Sequence, residues 1–132
     1  MRHQFTSGKA DGPDTSLVRP SNWNDDHVLG RVVPTYGTSV AIDASLGNLF
    51  VITVTDGVGF TVANPTNPAT SQRITIQIRN GSGGALGTVT WDTLYKLATW
   101  TSPANTFSRA IDFEYDGTNW VEISRTPADV PN

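Results

Sequence analysis

In the stretch QRITIQIRN, residues 72–80, Ile74, Ile76 and Ile78 alternate with Arg73, Thr75, Gln77 and Arg79. Residues two apart on an extended chain share a face, so this segment is a strand with one side on a core and the other in water. No other feature limits the fold as tightly. Shorter runs of the same period surround it: SVAID (39–43), NLFVITVT (48–55), GFTVAN (59–64), LGTVTW (86–91), LYKLATW (94–100), FSRAIDFEYD (107–116) and NWVEISR (119–125). Clusters of Gly, Pro, Asn and Asp separate them, and no long helical pattern interrupts the series. About eight short strands imply an all-β domain of two packed sheets or a rolled barrel, and a single jelly-roll-like β-sandwich is the expected form. A chain of 132 residues holds one such core.

The alternation also assigns faces. Phe50, Ile52 and Val54 share one side of their strand. In the closing pair the expected inward residues are Ile111, Phe113 and Tyr115, then Val121 and Ile123. A two-residue turn at Gly117 and Thr118 would set Phe113 against Glu122, an apolar group against a carboxylate on one face. An odd loop, either 116–118 or 117–119, keeps the apolar sets together and is the expected connection. Trp120 then falls on the opposite face, beside Glu122 and Ser124. A large indole on a polar face points to a contact beyond the sheet.

Residues 1–37 have a different character. Pro13, Pro20 and Pro34 punctuate them, DGPD (11–14) has turn chemistry, and Pro20 biases Arg19 toward extended geometry. One short helical turn fits within PSNWNDDHVLG, with Ser21 or Asn22 as its cap and Gly30 as its stop. The apolar groups Phe5, Leu17, Val18, Trp23, Val28 and Leu29 are too scattered to enclose a core. The organisation read from the chain is an extended arm (1–37), a β domain (38–126) and a short tail (127–132). Ordering an extended arm costs backbone entropy, which contacts with a partner offset. Phe5 and Trp23 are the expected pocket fillers, with Leu17 in the same docking set and Arg19, Asp25 and Asp26 at the rim.

Several function classes are excluded or disfavoured. A net charge of −3 gives no basic footprint for nucleic acid. Cysteine is absent, which removes disulfides, thiolate metal sites and thiol catalysis. No apolar run approaches the roughly 20 residues of a membrane span, and MRHQFTSGKA lacks the apolar stretch of a secretory signal. His3 and His27 are the two histidines, and His27 follows Asp25 and Asp26 at a spacing that matches no ligand motif. None of the serines lies in a nucleophile elbow. Asp112, Glu114 and Asp116 alternate on what is expected to be a solvated outer face, with Asp92 apart from them. The glycines of NGSGGALG serve tight or left-handed backbone geometry, since the segment lacks a phosphate-loop lysine. No catalytic residue, metal site or cofactor is expected.

The arm HQFTSGKADGPDTSLVRPSNWNDDHVL, with KADG, LVRPSNWN and DH in that order, resembles an N-terminal segment of small virion and tail-fibre-like proteins of tailed bacteriophages. YDGTNWVEISR (115–125) is similar to the ending of many phage fibre, head-fibre and decoration domains. The resemblance implies a non-enzymatic structural virion protein, commonly a homotrimer, assembled in the host cytoplasm. It would dock on a capsid or other virion protein through its N terminus and project the β domain. The absence of a repeated shaft favours a head-surface decoration or head-fibre protein. The alternative is a tail-fibre or receptor-binding module that recognises a host surface glycan. Trp91, Tyr95, Trp100 and Trp120 serve either reading, as aromatics sealed between subunits or as platforms for sugar rings, with Trp120 the specific candidate for a subunit seam.

Overall fold

The computed structural model describes Pro13 and residues 30–132. Every regular element among them is a strand: β1 (Arg31–Val32), β2 (Ser39–Val40), β3 (Leu49–Val54), β4 (Phe60–Val62), β5 (Arg73–Asn80), β6 (Val89–Trp91), β7 (Tyr95–Lys96), β8 (Phe107–Tyr115), β9 (Trp120–Arg125) and β10 (Val130–Pro131). The all-β expectation holds, and each of the eight strand segments read from the sequence contains one of these strands.

Strand pairing departs from a jelly roll. In one sheet β1, β3 and β5 run parallel, with Phe50 opposite Ile76 and Ile52 opposite Ile78. In the other, β2, β4 and β6 run parallel, with Val40 opposite Val62 and Val62 opposite Trp91. Parallel neighbours need a crossover between them, and here each crossover is the strand contributed to the opposite sheet. Odd and even strands therefore make three successive turns of a short β-solenoid, whereas a jelly roll is built from antiparallel strands. Period-two alternation says which side chains face inward and carries no information about which strand lies next door, so it cannot separate the two architectures.

The inward sets meet between the sheets. Phe50, Ile52 and Val54 of β3 and Ile74, Ile76 and Ile78 of β5 pack with Val40, Ile42, Phe60, Val62 and Val89. The coil turns tightly where glycines stack: a Cβ on Gly87 would lie 2.3 Å from the Gly59 nitrogen at the corner ahead of β4. At the C-terminal end of β5 the buried Asn80 is fully occupied. Its Nδ2 donates to the carbonyls of Gly84 (3.0 Å) and Pro103 (3.1 Å), and its Oδ1 accepts from the Ser82 amide (3.0 Å) and hydroxyl (2.7 Å). One side chain thus ties two loops to the sheet, and Gly83 within them takes the left-handed φ of 82° that suits glycine.

The last third closes the coil with antiparallel strands. β8 lies between β5 and β9, with Ile111 opposite Ile76, Phe113 opposite Ile74 and Tyr115 opposite Trp120. β7 runs parallel to β9 at the sheet edge. Two boundaries move. Arg31 and Val32, expected in the arm, pair with β3, and Tyr36 sets its ring edge-on to Phe60 at 5.5 Å. Val130, expected in the tail, pairs with Ser108 of β8.

The closing hairpin corrects the expected register. Phe113 does pair with Glu122, the register of a Gly117–Thr118 turn. Asp116 builds that turn by accepting the amides of Thr118 (2.8 Å) and Asn119 (2.6 Å), and Gly117 supplies its φ of 101°. The inward residue of β9 is Trp120, fully buried, while Val121 and Ile123 are 37% and 46% exposed. Ile123 is the extra residue of a bulge, since Asp112 pairs with Ser124 and Phe113 with Glu122. The strand turns its largest side chain inward, where the indole packs against Tyr115 and the core. Glu122 is tolerated beside Phe113 because its carboxylate is not left bare. It takes Arg125 in a two-pronged pair and accepts the Ala98 amide at 2.9 Å.

Candidate functional site

The aromatic residues were the main candidates for contact with a partner or a sugar. Trp120 is fully buried and Tyr95 nearly so, at 5% exposure, so neither is a surface platform. The expectation that Trp120 lines a subunit seam is corrected: its partners are Tyr115, at 5.0 Å between ring centres, and the core of its own chain. Trp91 packs edge-on against Tyr95 (5.2 Å) and Trp100 (5.4 Å) and lies 5.7 Å from Phe113. The Tyr95 hydroxyl donates to the Ala63 carbonyl at 3.0 Å, and burial pushes its pKa upward. These rings form one cluster that seals the end of the coil, with Trp91 and Trp100 half-buried at its margin. The indole nitrogens of Trp91, Trp100 and Trp120 are buried without an acceptor. Leaving such a donor unpaired costs about 1–3 kcal/mol, and the apolar area of the rings has to outweigh it.

A clamp holds the segment carrying Trp100. Arg125 donates to the carbonyls of Thr99 (2.8 Å) and Ala98 (3.0 Å) while gripping Glu122. Hydrogen bonding from Arg125 holds the Glu122 carboxyl below its ordinary range. The other carboxylates are likewise engaged in structure. Asp92 accepts the amides of Thr93 (2.7 Å) and Asn64 (3.3 Å), Asp112 takes the hydroxyls of Thr75 (2.6 Å) and Ser124 (2.5 Å), and Glu114 pairs with Arg73 at 2.7 Å. Asp112 and Glu114 do face outward, as expected. Among the described residues no group of three or more His, Cys, Asp or Glu side chains could hold a metal ion.

Sequence reasoning missed an open groove of about 540 Å³. Ser45, Asn48, Asn67, Ser71, Gln72 and Arg73 supply its polar lining, over a floor that includes Ala44, Gly47 and Ala69. Two of these residues hold left-handed backbone, Asn67 at φ 52° and Ser71 at φ 62°, a conformation that costs non-glycine residues energy. Asp43 fixes the loop by accepting from the Ser45 hydroxyl (2.7 Å) and Asn67 (3.1 Å), which hold its pKa down. Gln72 bridges to the Ala44 carbonyl at 2.6 Å. The signal was the run ANPTNPATSQ (63–72), whose Pro, Asn and Ser cluster marks a long loop between two strands. A smaller hollow of about 220 Å³ lies beside Tyr36, whose hydroxyl donates to Asp56 at 2.7 Å. Burial and that bond raise the Tyr36 pKa to about 12.

Phe5, Leu17, Arg19, Trp23, Asp25 and Asp26, the expected docking set, and the two histidines His3 and His27 lie outside the described residues. No family model matches the chain, and no curated protein and no solved structure matches it either.

Proposed function

We propose that this chain is a structural, non-enzymatic component of a tailed-phage virion, a head-surface decoration or head-fibre protein. In this reading the N-terminal arm docks on a capsid or other virion protein and the β domain projects outward as an oligomer, with the homotrimer the resemblance implies as the expected form. The projecting unit is a short solenoid closed by a hairpin, in place of the jelly-roll-like sandwich expected from the strand pattern. The observation that carries the reading is a division of labour. Residues from Val32 to Trp120 enclose a core of their own, whereas the segment before them has the scattered apolar groups of a docking arm. A segment with no core of its own to enclose is what attachment to another molecule would use.

Deletion of residues 2–29 tests it. The truncated protein is expected to keep a cooperative thermal transition and to lose co-sedimentation with phage particles. Truncated protein that still co-sediments refutes arm-mediated docking.

The open groove with polar groups on its rim supports a second reading, a tail-fibre or receptor-binding module. Amides, hydroxyls and a guanidinium around a shallow floor suit the hydroxyl groups of a host surface glycan. Binding of the full chain on a glycan array, lost on Asn48→Ala and Ser71→Ala, would favour this reading over docking alone.

A further inference from the structure

Strand β9 carries large apolar side chains on both faces, although Glu122 also turns inward. Trp120 fills the core, while Val121 and Ile123 stand exposed on the other side. A strand with one face in water alternates apolar and polar residues, and one that is apolar on both faces is the mark of a strand covered on both. The described chain covers one.

The residues around the strip say what fits over it. Lys96, Val121, Glu114 and Arg73 are successive cross-strand partners on β7, β9, β8 and β5. Direct partners share a face, so these four form one row across the outer surface. Val121 therefore has a cation on one flank and an anion on the other. Rotation about an axis parallel to β9 exchanges the flanks. Copies related by such an axis set Val121 and Ile123 of one against those of the next, and they bring Lys96 of one copy beside Glu114 of its neighbour. Both groups have capacity left. The Lys96 ammonium donates to the Thr93 carbonyl at 2.8 Å and keeps further protons free, and Glu114 meets Arg73 through Oε2 alone.

We infer that the outward face of β9 is the surface on which a second copy of this chain packs, with Val121 and Ile123 at its centre and Lys96–Glu114 pairs at its rim. An apolar centre with a charged rim is the ordinary layout of a specific interface. The self-complementary flanks select the same chain over an unrelated protein. The inference rests on the reading of the domain as an oligomeric module. Its test needs no particle, so the docking proposal and this one can fail separately.

Sedimentation velocity of the full chain reads the mass directly. The wild type is expected at a whole multiple of the chain mass, and Val121→Ser with Ile123→Ser is expected at the mass of one chain. Lys96→Glu is expected to raise the dissociation constant about tenfold or more, because it sets like charges together. Adding Glu114→Lys to that variant reverses both signs and is expected to recover most of the loss. Thermal transitions of the variants at high dilution show whether each chain still folds. A wild type of one-chain mass at its highest soluble concentration overturns the inference, as does an oligomer unchanged by the double serine variant. A double charge reversal no better than Lys96→Glu alone overturns the Lys96–Glu114 contact.

Discussion

Strands β5 and β9 carry similar alternating sequences and obey them differently. In β5 one set is Ile74, Ile76 and Ile78 and the other is Arg73, Thr75, Gln77 and Arg79, and the fold buries the first and wets the second. In β9 one set is Val121 and Ile123 and the other is Trp120, Glu122 and Ser124. The fold buries the tryptophan, and the β-branched pair goes outside. Alternation decides orientation when one set is wholly polar. When both sets hold apolar groups, the larger side chain and the turn geometry decide. The carboxylate that comes inward with Trp120 is then satisfied locally, by Arg125 and the Ala98 amide.

The largest expected effect is at Trp120. Trp120→Ala is expected to cost about 3–5 kcal/mol of stability in denaturant unfolding, as a buried aromatic deletion does. A loss below about 1 kcal/mol would place the indole at the surface and restore the face assignment read from the sequence. Ile76→Ala in β5 is expected at about 2–5 kcal/mol by the same measurement, so the two strands should rank together as core. Asn80→Ala strips partners from the Gly84 and Pro103 carbonyls and the Ser82 amide, and about 1–3 kcal/mol is expected.

Acid distinguishes the strands next. Glu122 titrates below its ordinary value of 4.5 in the folded protein, chiefly through Arg125. The unfolded chain therefore takes up this proton first as pH falls, and the stabilisation is present above about pH 4.5 and lost below it. Glu122→Gln is expected to flatten that part of the stability profile, measured by unfolding midpoints across acid pH. An unchanged profile would separate Glu122 from the clamp. The smallest effect is on the outer face: Val121→Ser is expected to leave the stability of the single chain within about 0.5 kcal/mol at high dilution.

Much of the fold was legible in local pattern. The strand segments, the inward sets of β3 and β5 and the left-handed glycine of NGSGGA followed from periodicity and turn chemistry. What escaped depends on distant partners. Two-residue strands such as β1 and β10 carry no period, and their pairing with β3 and β8 is fixed only by where the coil brings them. Parallel order likewise depends on which loops cross which face. Of the aromatic candidates, the sequence showed their number and not their destination, because Trp91 and Tyr95 find each other across a turn and Phe113 arrives from another strand. The groove was visible only as a loop rich in Pro, Asn and Ser. Asn67 and Ser71, which line it, take left-handed backbone that no local pattern marks.

The parallel coil is the claim on which the rest stands, and a chain without cysteine offers a clean way to test it. Thr53 lies opposite Arg79 and Leu49 opposite Thr75, all on the outer face of β3 and β5. Cysteine pairs at 53/79 and at 49/75, made in separate variants, are both expected to close into intramolecular disulfides on mild oxidation, since parallel neighbours sit within bonding range at both places. An antiparallel arrangement that joined 53 to 79 would carry 49 and 75 out of reach. Closure at one pair and not the other would contradict the solenoid.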